Sequence, residues 1–527
     1  MQNSKYKDSK VYLVGSGVAA LASAVYLQKD AGIAGENIHI LEKENIPGGA
    51  CDGSGNEDQG FLVRGGRMHE AHYECYWDLL SNIPSLEDEN ISVKEETFAF
   101  SEKYVSNAKA RLLKNGQKVD LSSYGLSFKQ QAKLTELTFI PEIVLNNKRI
   151  EDWFDQDFFE TNYWQIWSTM FAFQKWSSVA EMRRYMKRFI HLVDGLYKIG
   201  GIMRTKYNQY DSVIRPLRKY LEARGVHFDM EREVVDIDFN LSSDRHTATV
   251  IHLKNRDEIV LSQNDYVFIT NGSITESTDV GSWHEAPKLK GIEESGSWKL
   301  WKKLAKKHEI FGNPDPFCDN VDLQKWYSFT ATLKDTTFHD YMQEFTGNVD
   351  GTGGLVTMTD SNWLMSIVIA HQPHFVNQSE SVKIFWGYGL YPDRKGNFVN
   401  KTMAECNGEE ILEELYGHLK IQELMKPITQ AGKVNCLPVA MPFIDSLFMP
   451  RELGDRPDVI PKGATNFAFL GQFAEVEKDC VFTVEYSVRT AQMAVYGLFD
   501  TDKKVIPVYD SIHNPKYLIA AMKALSR

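Results

Sequence analysis

The chain has 527 residues, 43% of them hydrophobic, and a formal net charge of −12, enough apolar material for a substantial core in two or three domains. That acidic balance, with no basic footprint, excludes a phosphate-backbone partner and so nucleic-acid binding. A mean hydropathy of −0.36, with no second long apolar run, excludes an integral membrane protein. Six dispersed cysteines (Cys51, Cys75, Cys318, Cys406, Cys436 and Cys480) lack the paired spacing of a metal or redox site. No metal is expected, and the compartment reads as reducing and cytoplasmic.

The first predicted unit is strand, turn, helix and strand over residues 11–42. Its turn reads Gly15-Ser-Gly17-Val-Ala-Ala20. Lys5, Lys7 and Lys10 before an uncharged run give it a superficial likeness to a signal peptide, but the two glycines and the β-branched strand argue against that. Backbone N–H groups at such a helix start meet a pyrophosphate. Gly15 permits the tight turn, Gly17 removes the Cβ in the phosphate's path, and Ala20 allows close helix–strand packing. Glu42 ends the second strand, where a carboxylate accepts from a ribose hydroxyl. A glycine-rich loop with Gly48 and Gly49 follows, and helices are predicted over roughly 125–230.

Residues 234–239 and 248–253 read as antiparallel strands, and 265–272 as a buried strand ending at Asn271-Gly272. Residues 466–473 form another, ending at Gly471-Gln472, from which Thr483 leads into an Ala-containing helix aimed at a cofactor. Together these units predict an α/β fold: a FAD-binding Rossmann-like domain with a mixed α+β substrate domain and helical elements. The expected FAD-binding domain is discontinuous, over 8–125, 205–290 and 430–510. Residues 126–204 supply the helical part of the substrate site, 291–429 the substrate-binding domain, and 511–527 a C-terminal helical segment.

Long ordered motifs then carry a resemblance. They include Phe61-Leu-Val-Arg-Gly-Gly-Arg67, Thr169-Met-Phe-Ala-Phe-Gln-Lys-Trp176, Arg188-Phe-Ile-His191, Thr205-Lys-Tyr-Asn-Gln-Tyr210, Trp386-Gly-Tyr-Gly-Leu-Tyr-Pro392 and Gly454-Asp-Arg-Pro-Asp-Val459. On these the chain resembles the oleate hydratase family, also called myosin-cross-reactive antigens, over nearly its whole length. The resemblance implies FAD as cofactor, with Arg64, Gly65 and Gly66 beside it. It implies redox-neutral addition of water across the cis double bond of an unsaturated fatty acid. Such a reaction needs a proton donor at one alkene carbon and an ordered water at the other.

The family's tyrosine acid matches Tyr185, in Glu181-Met-Arg-Arg-Tyr185. Many members read Arg-Gly-Gly-Arg-Glu-Met, with the glutamate ordering water. Here Met68 holds that position, and it offers no strong acceptor. His69, Glu70 and Glu74 are neighbouring substitutes, with Glu70 the nearest carboxylate. A Thr-x-Asn-Arg-Gln-Pro-His segment in relatives holds the fatty-acid carboxylate. Here it reads Val368-Ile-Ala370-His371-Gln372-Pro-His374, which loses two polar groups and leaves His371, Gln372 and His374, or an arginine elsewhere.

Tyr163, Trp164, Trp167, Phe171, Phe173 and Trp176, with Met182 and Met186, are candidates for an apolar tunnel, though aromatics at helical spacing also serve as core. Residues 517–527 are apolar on one face and basic at the end, matching either peripheral membrane contact or a packing helix. Longer relatives continue past this point, and the assembly is expected to be a monomer or a homodimer. Two alternatives stand beside the hydratase: a flavin-dependent fatty-acid oxidoreductase, and a non-catalytic fatty-acid-binding flavoprotein.

Overall fold

The computed structural model describes residues 6–51 and 53–526. Lys5, Asp52 of the glycine-rich loop and the terminal Arg527 lie outside the described residues. A five-stranded parallel sheet is built from β1 (Val11–Val14), β2 (Ile38–Leu41), β3 (His227–Asp229), β4 (Tyr266–Thr270) and β5 (Phe467–Leu470). Their order is β5-β4-β1-β2-β3. β1 is central and wholly buried, paired in parallel with Ile38–Leu41 on one side and Tyr266–Ile269 on the other. Continuous apolar runs such as Val-Tyr-Leu-Val are what a parallel strand covered on both faces requires.

Helix α1 (Val18–Lys29) is buried from Val18 to Leu27. Apolar on every side, it sits inside the fold rather than on its surface. Helix α2 (Asn162–Phe171) starts where the Thr161 hydroxyl accepts from the Trp164 N–H, and it ends at Ala172 in the left-handed region. Helix α3 (Val179–Arg188) opens at Ser178, and α4 (Val484–Leu498) opens at Thr483 and packs on α1. Helix α5 (Pro515–Leu525) lies against the segment Ile190–Lys198, burying Ala521 and Ala524 and leaving Ile519 and Met522 exposed.

A second large sheet is eight-stranded and mixed. Its order is Asp279–Val280, Val434–Met441, Trp326–Leu333, Lys383–Gly389, Met365–Val368, Leu355–Met358, Leu112–Lys114 and Gln117–Lys118. The sheets therefore cut across the expected segments. Leu112–Lys118 and Val434–Met441 fall within 8–125 and 430–510, yet they pair in the large sheet. Val434–Met441 goes there because it pairs antiparallel along all of Trp326–Leu333, a contact no local pattern records. Trp326–Leu333 also fixes the Arg64–Arg67 loop: Thr332 and Thr330 hydroxyls accept from the N–H groups of Phe61 (2.9 Å) and Val63 (3.0 Å). No helix among the described residues is long and apolar enough to cross a membrane.

Candidate active site

A cavity of about 680 Å³ lies at the C-terminal ends of β1, β2, β4 and β5, the edge where doubly wound sheets bind nucleotides. Gly15, Gly17, Glu42, Gly48, Gly49, Arg64, Gly272, Gly471, Gln472 and Thr483 all line it. Gly15 has φ +91°, which glycine adopts without strain. A Cβ built on Gly17 meets nothing within 4 Å, so it would project into open space that glycine keeps clear before the helix N-terminus. Helix α1 has no side-chain cap and no acid in its first turn, so its first N–H groups are free for an anion. Glu42 accepts from the Ser16 and Glu44 N–H groups, both at 2.9 Å, while bordering the cavity, and burial raises its pKa.

Four expected cofactor residues lie elsewhere. Ala20 is buried in the helix–strand packing, and Asn271 and Gly65 stand behind the lining. Gly66 lines two smaller cavities instead. The Thr270 hydroxyl, in the wall and without a protein partner, is a polar contact that the sequence pattern did not single out.

Against this cavity sits a second, of about 110 Å³, sharing Arg67, Phe482 and Thr483 with it. Tyr185 and Met68 both face this space, with Trp167, Phe171, Leu192 and Leu196 as apolar walls. The Tyr185 hydroxyl donates to the Val481 carbonyl at 2.6 Å, and burial pushes its pKa well above the usual range, so it holds its proton. Its ring meets Phe171, Phe173, Phe189 and Phe448 edge to face. Of the predicted tunnel aromatics only Trp167 and Phe171 reach the lining; Tyr163, Trp164, Phe173 and Trp176, with Met182 and Met186, are packing.

The position of Tyr185 is set one turn back. Glu181 is fully buried and paired with Arg456 Nη1 (2.8 Å) and Arg451 Nε (3.0 Å). Burial alone would raise its pKa, but the guanidiniums of Arg456 and Arg451 hold it at about 2. Arg184, on the same helix, bonds Glu142 at 2.7 Å and Glu475 at 2.8 Å. These pairs clamp α3 so that Tyr185 faces the cavity. Phe482, the partition between the two cavities, has φ +68°, an unusual conformation for a bulky side chain. Arg67 lies over its ring at 5.2 Å.

A third cavity, of about 40 Å³, continues from the second through Gly66, Arg67, Arg204, Val368 and Trp386. His371, His374 and Ala370 line it, together with Thr205, Tyr207 and Gln209. Gln372 does not: its amide is spent on the Ala370 and Ile384 carbonyls at 3.0 and 2.8 Å. Glu70 also lies outside these linings. Its carboxylate pairs with Arg188 (3.1 Å) and His191 (3.3 Å) and accepts the His72 N–H at 2.8 Å. Burial works against that charge, and His191 and Arg188 more than offset it, lowering the pKa. His69 is buried against Tyr76, and Glu74 lies beside His72. Among the described residues, neither smaller cavity is lined by any aspartate or glutamate.

The MCRA family model matches residues 8–496. The chain belongs to the MCRA family. It is 42% identical to a protein named oleate hydratase from Streptococcus pyogenes serotype M49 (strain NZ131), over 98% of this chain and 89% of that one. It is 34% identical to a linoleate hydratase of Lactiplantibacillus plantarum, over 98% of both chains. Among solved structures, cyclohexylamine oxidase from Brevibacterium oxydans IH-35A superposes with a TM-score of 0.54 at 11% identity, covering 93% of this chain and 98% of that one. That likeness is one of fold. In this MCRA chain the large cavity, with its bare helix N-terminus and glycine cradle, has a lining that fits the pyrophosphate of a dinucleotide such as FAD.

Proposed function

We propose that the chain is an FAD-dependent hydratase that adds water to a cis double bond of an unsaturated fatty acid of the oleate or linoleate type, giving a hydroxy fatty acid. The observation that carries this reading is the contiguity of the three cavities, with Tyr185 in the middle one, in a chain similar to named oleate and linoleate hydratases. An apolar middle space suits an acyl chain, and a donor-lined end suits a carboxylate. Tyr185 is the proton donor. It transfers the proton now directed at Val481 to one alkene carbon, the water oxygen bonds to the other, and the proton that water sheds restores the phenol. FAD, when bound, supplies a polarisable wall to the site of a reaction with no net electron transfer.

Glu70 enters this reading as a positioning group. Its carboxylate is engaged by Arg188, His191 and the His72 N–H and is absent from the lining, so the water is ordered without it. The same observation favours a second reading, a fatty-acid-binding flavoprotein that does not hydrate: Met68 faces the cavity where a carboxylate would hold the water. Mass spectrometry of oleate incubated with the FAD-loaded protein, before and after flavin reduction, separates the readings. Gain of one water is expected. Loss of two hydrogens would mark an oxidoreductase, and unchanged acid with saturable binding would mark the second reading.

A further inference from the structure

Among the described residues every buried arginine is partnered, Arg67 by the Gly66 and Ala50 carbonyls, and the departure is the half-buried Arg204. Arg184, Arg188, Arg451, Arg456 and Arg489 each bond a carboxylate, and Arg111 donates to Thr357 and Thr169 hydroxyls and the Ile166 carbonyl. Arg204 does none of this. It follows the short strand Ile202–Met203, and its side chain borders both smaller cavities. Among the described residues its guanidinium has no hydrogen-bond or ion-pair partner, and its Nε is sealed from solvent without an acceptor.

Its charge is felt by the neighbouring histidines. Burial lowers the pKa of His374 to about 4 and that of His69 to about 3, and in both the Arg204 charge is the next cause. Both imidazoles are therefore neutral at physiological pH and leave the arginine's charge unshared. Burial alone brings Arg204 itself down to about 10, so it still stays charged there. A cation withdrawn this far from water without a partner is unfavourable unless an anion completes it. No side chain in either lining supplies that anion.

We infer that Arg204 is a substrate-positioning residue: its guanidinium takes the free carboxylate of the fatty acid at the junction of the two smaller cavities. The inference rests on the hydratase reading for its substrate. A planar fork of N–H donors matches a carboxylate in a way that Val368 and Ala370 cannot. Gln209, Thr205 and His371 stand in the same lining as further polar contacts. A head group fixed there sets how many carbons separate it from Tyr185, and hence which double bond reaches the phenol.

The test uses FAD-loaded full-length protein with oleate and with methyl oleate, which has the same chain and no charge. Binding is followed by titration and turnover by product analysis. Arg204→Met is expected to weaken oleate binding at least about tenfold while changing methyl oleate binding by less than about threefold. Arg204→Lys is expected to recover part of the oleate affinity. The ligand-free Arg204→Met protein should keep its flavin and melt at or above the wild-type temperature, because an unpartnered, partly desolvated charge has gone. Unchanged oleate affinity, or an equal loss for acid and ester, would overturn the inference. So would a lowered melting temperature that Arg204→Lys restores without restoring oleate affinity. Wild-type protein that binds oleate through Arg204 and releases it unchanged would uphold the inference and remove the hydratase reading.

Discussion

The large cavity and the two smaller cavities are built by different means. The first is made largely of backbone: a helix terminus, glycines at Gly15, Gly17, Gly48 and Gly49, and strand ends, with few side chains that must be one residue type. The smaller cavities are made of side chains from segments far apart in the chain, including Met68, Tyr185, Arg204, Val368 and Phe482. A backbone-built site tolerates chemical change around it and fails when a Cβ intrudes. A side-chain-built site fails one function at a time. The difference can be broken or sharpened by substitution.

Gly17→Val gives the largest effect. The added atoms enter open space, so the protein is expected to fold, but they occupy the phosphate position and abolish flavin binding. Purified variant should show no flavin absorbance and a cooperative melt. A variant that retains stoichiometric FAD would refute the backbone-cradle account. Next comes Tyr185→Phe, which keeps the ring contacts and removes the hydroxyl with its proton. Product formation should fall by about 10²–10⁴-fold with flavin content unchanged. Unchanged hydration would mean that another group is the acid.

Arg456→Met ranks third and tests the clamp behind Tyr185. It leaves Glu181 with Arg451 alone, and breaking a buried pair costs about 3–5 kcal/mol, readable from the denaturation midpoint. The clamp also has a pH signature. Glu181 has a folded pKa of about 2 against an ordinary value of 4.5. Its stabilisation is therefore complete above pH 4.5 and is lost as pH falls toward 2. It amounts to about 3 kcal/mol by linkage. Acid unfolding of the wild type should be steep across this window, and in Arg456→Met it should begin at higher pH. Coincident acid transitions would show that the pair contributes nothing.

What was legible in the sequence follows the same division. The βαβ unit around Gly15–Ala20, the antiparallel strands near Val234 and Ala248, and the return of the chain at Gly272 and Gly471 are all local patterns, and the structure forms them where the periodicity puts them. Tyr185, Met68 and the His371–His374 segment came from motif matching, and they do converge on adjoining cavities. Arg204 and Phe482 were not singled out. An unpaired guanidinium is defined by the absence of acids brought near it by folding, and the positive φ of Phe482 is carried by no pattern of residue types. Glu70 shows the limit of sequence nearness. Nearness to Met68 in sequence implied a shared space, but the His69–Glu70 strand pairs with Ile202–Met203, and the carboxylate is bonded to Arg188 and His191, outside the lining that Met68 and Tyr185 share.

Glu70→Gln is accordingly expected to give the smallest catalytic effect of the series, and it is the sharpest test of the comparison. The amide keeps the shape and can still accept the His72 N–H, while Arg188 retains the His72 carbonyl at 2.8 Å and Asp479 at 3.7 Å. Losing the charge should cost about 1–3 kcal/mol of stability. Hydration per bound flavin should stay within about tenfold of wild type, less than a general base normally contributes. The wild-type rate should accordingly show no acid limb traceable to Glu70. If instead the variant melts like wild type and loses hydration a hundredfold or more, on the scale of a lost base, the carboxylate reaches the water in the liganded state. The division between a charge cluster that positions and a cavity that reacts would then collapse.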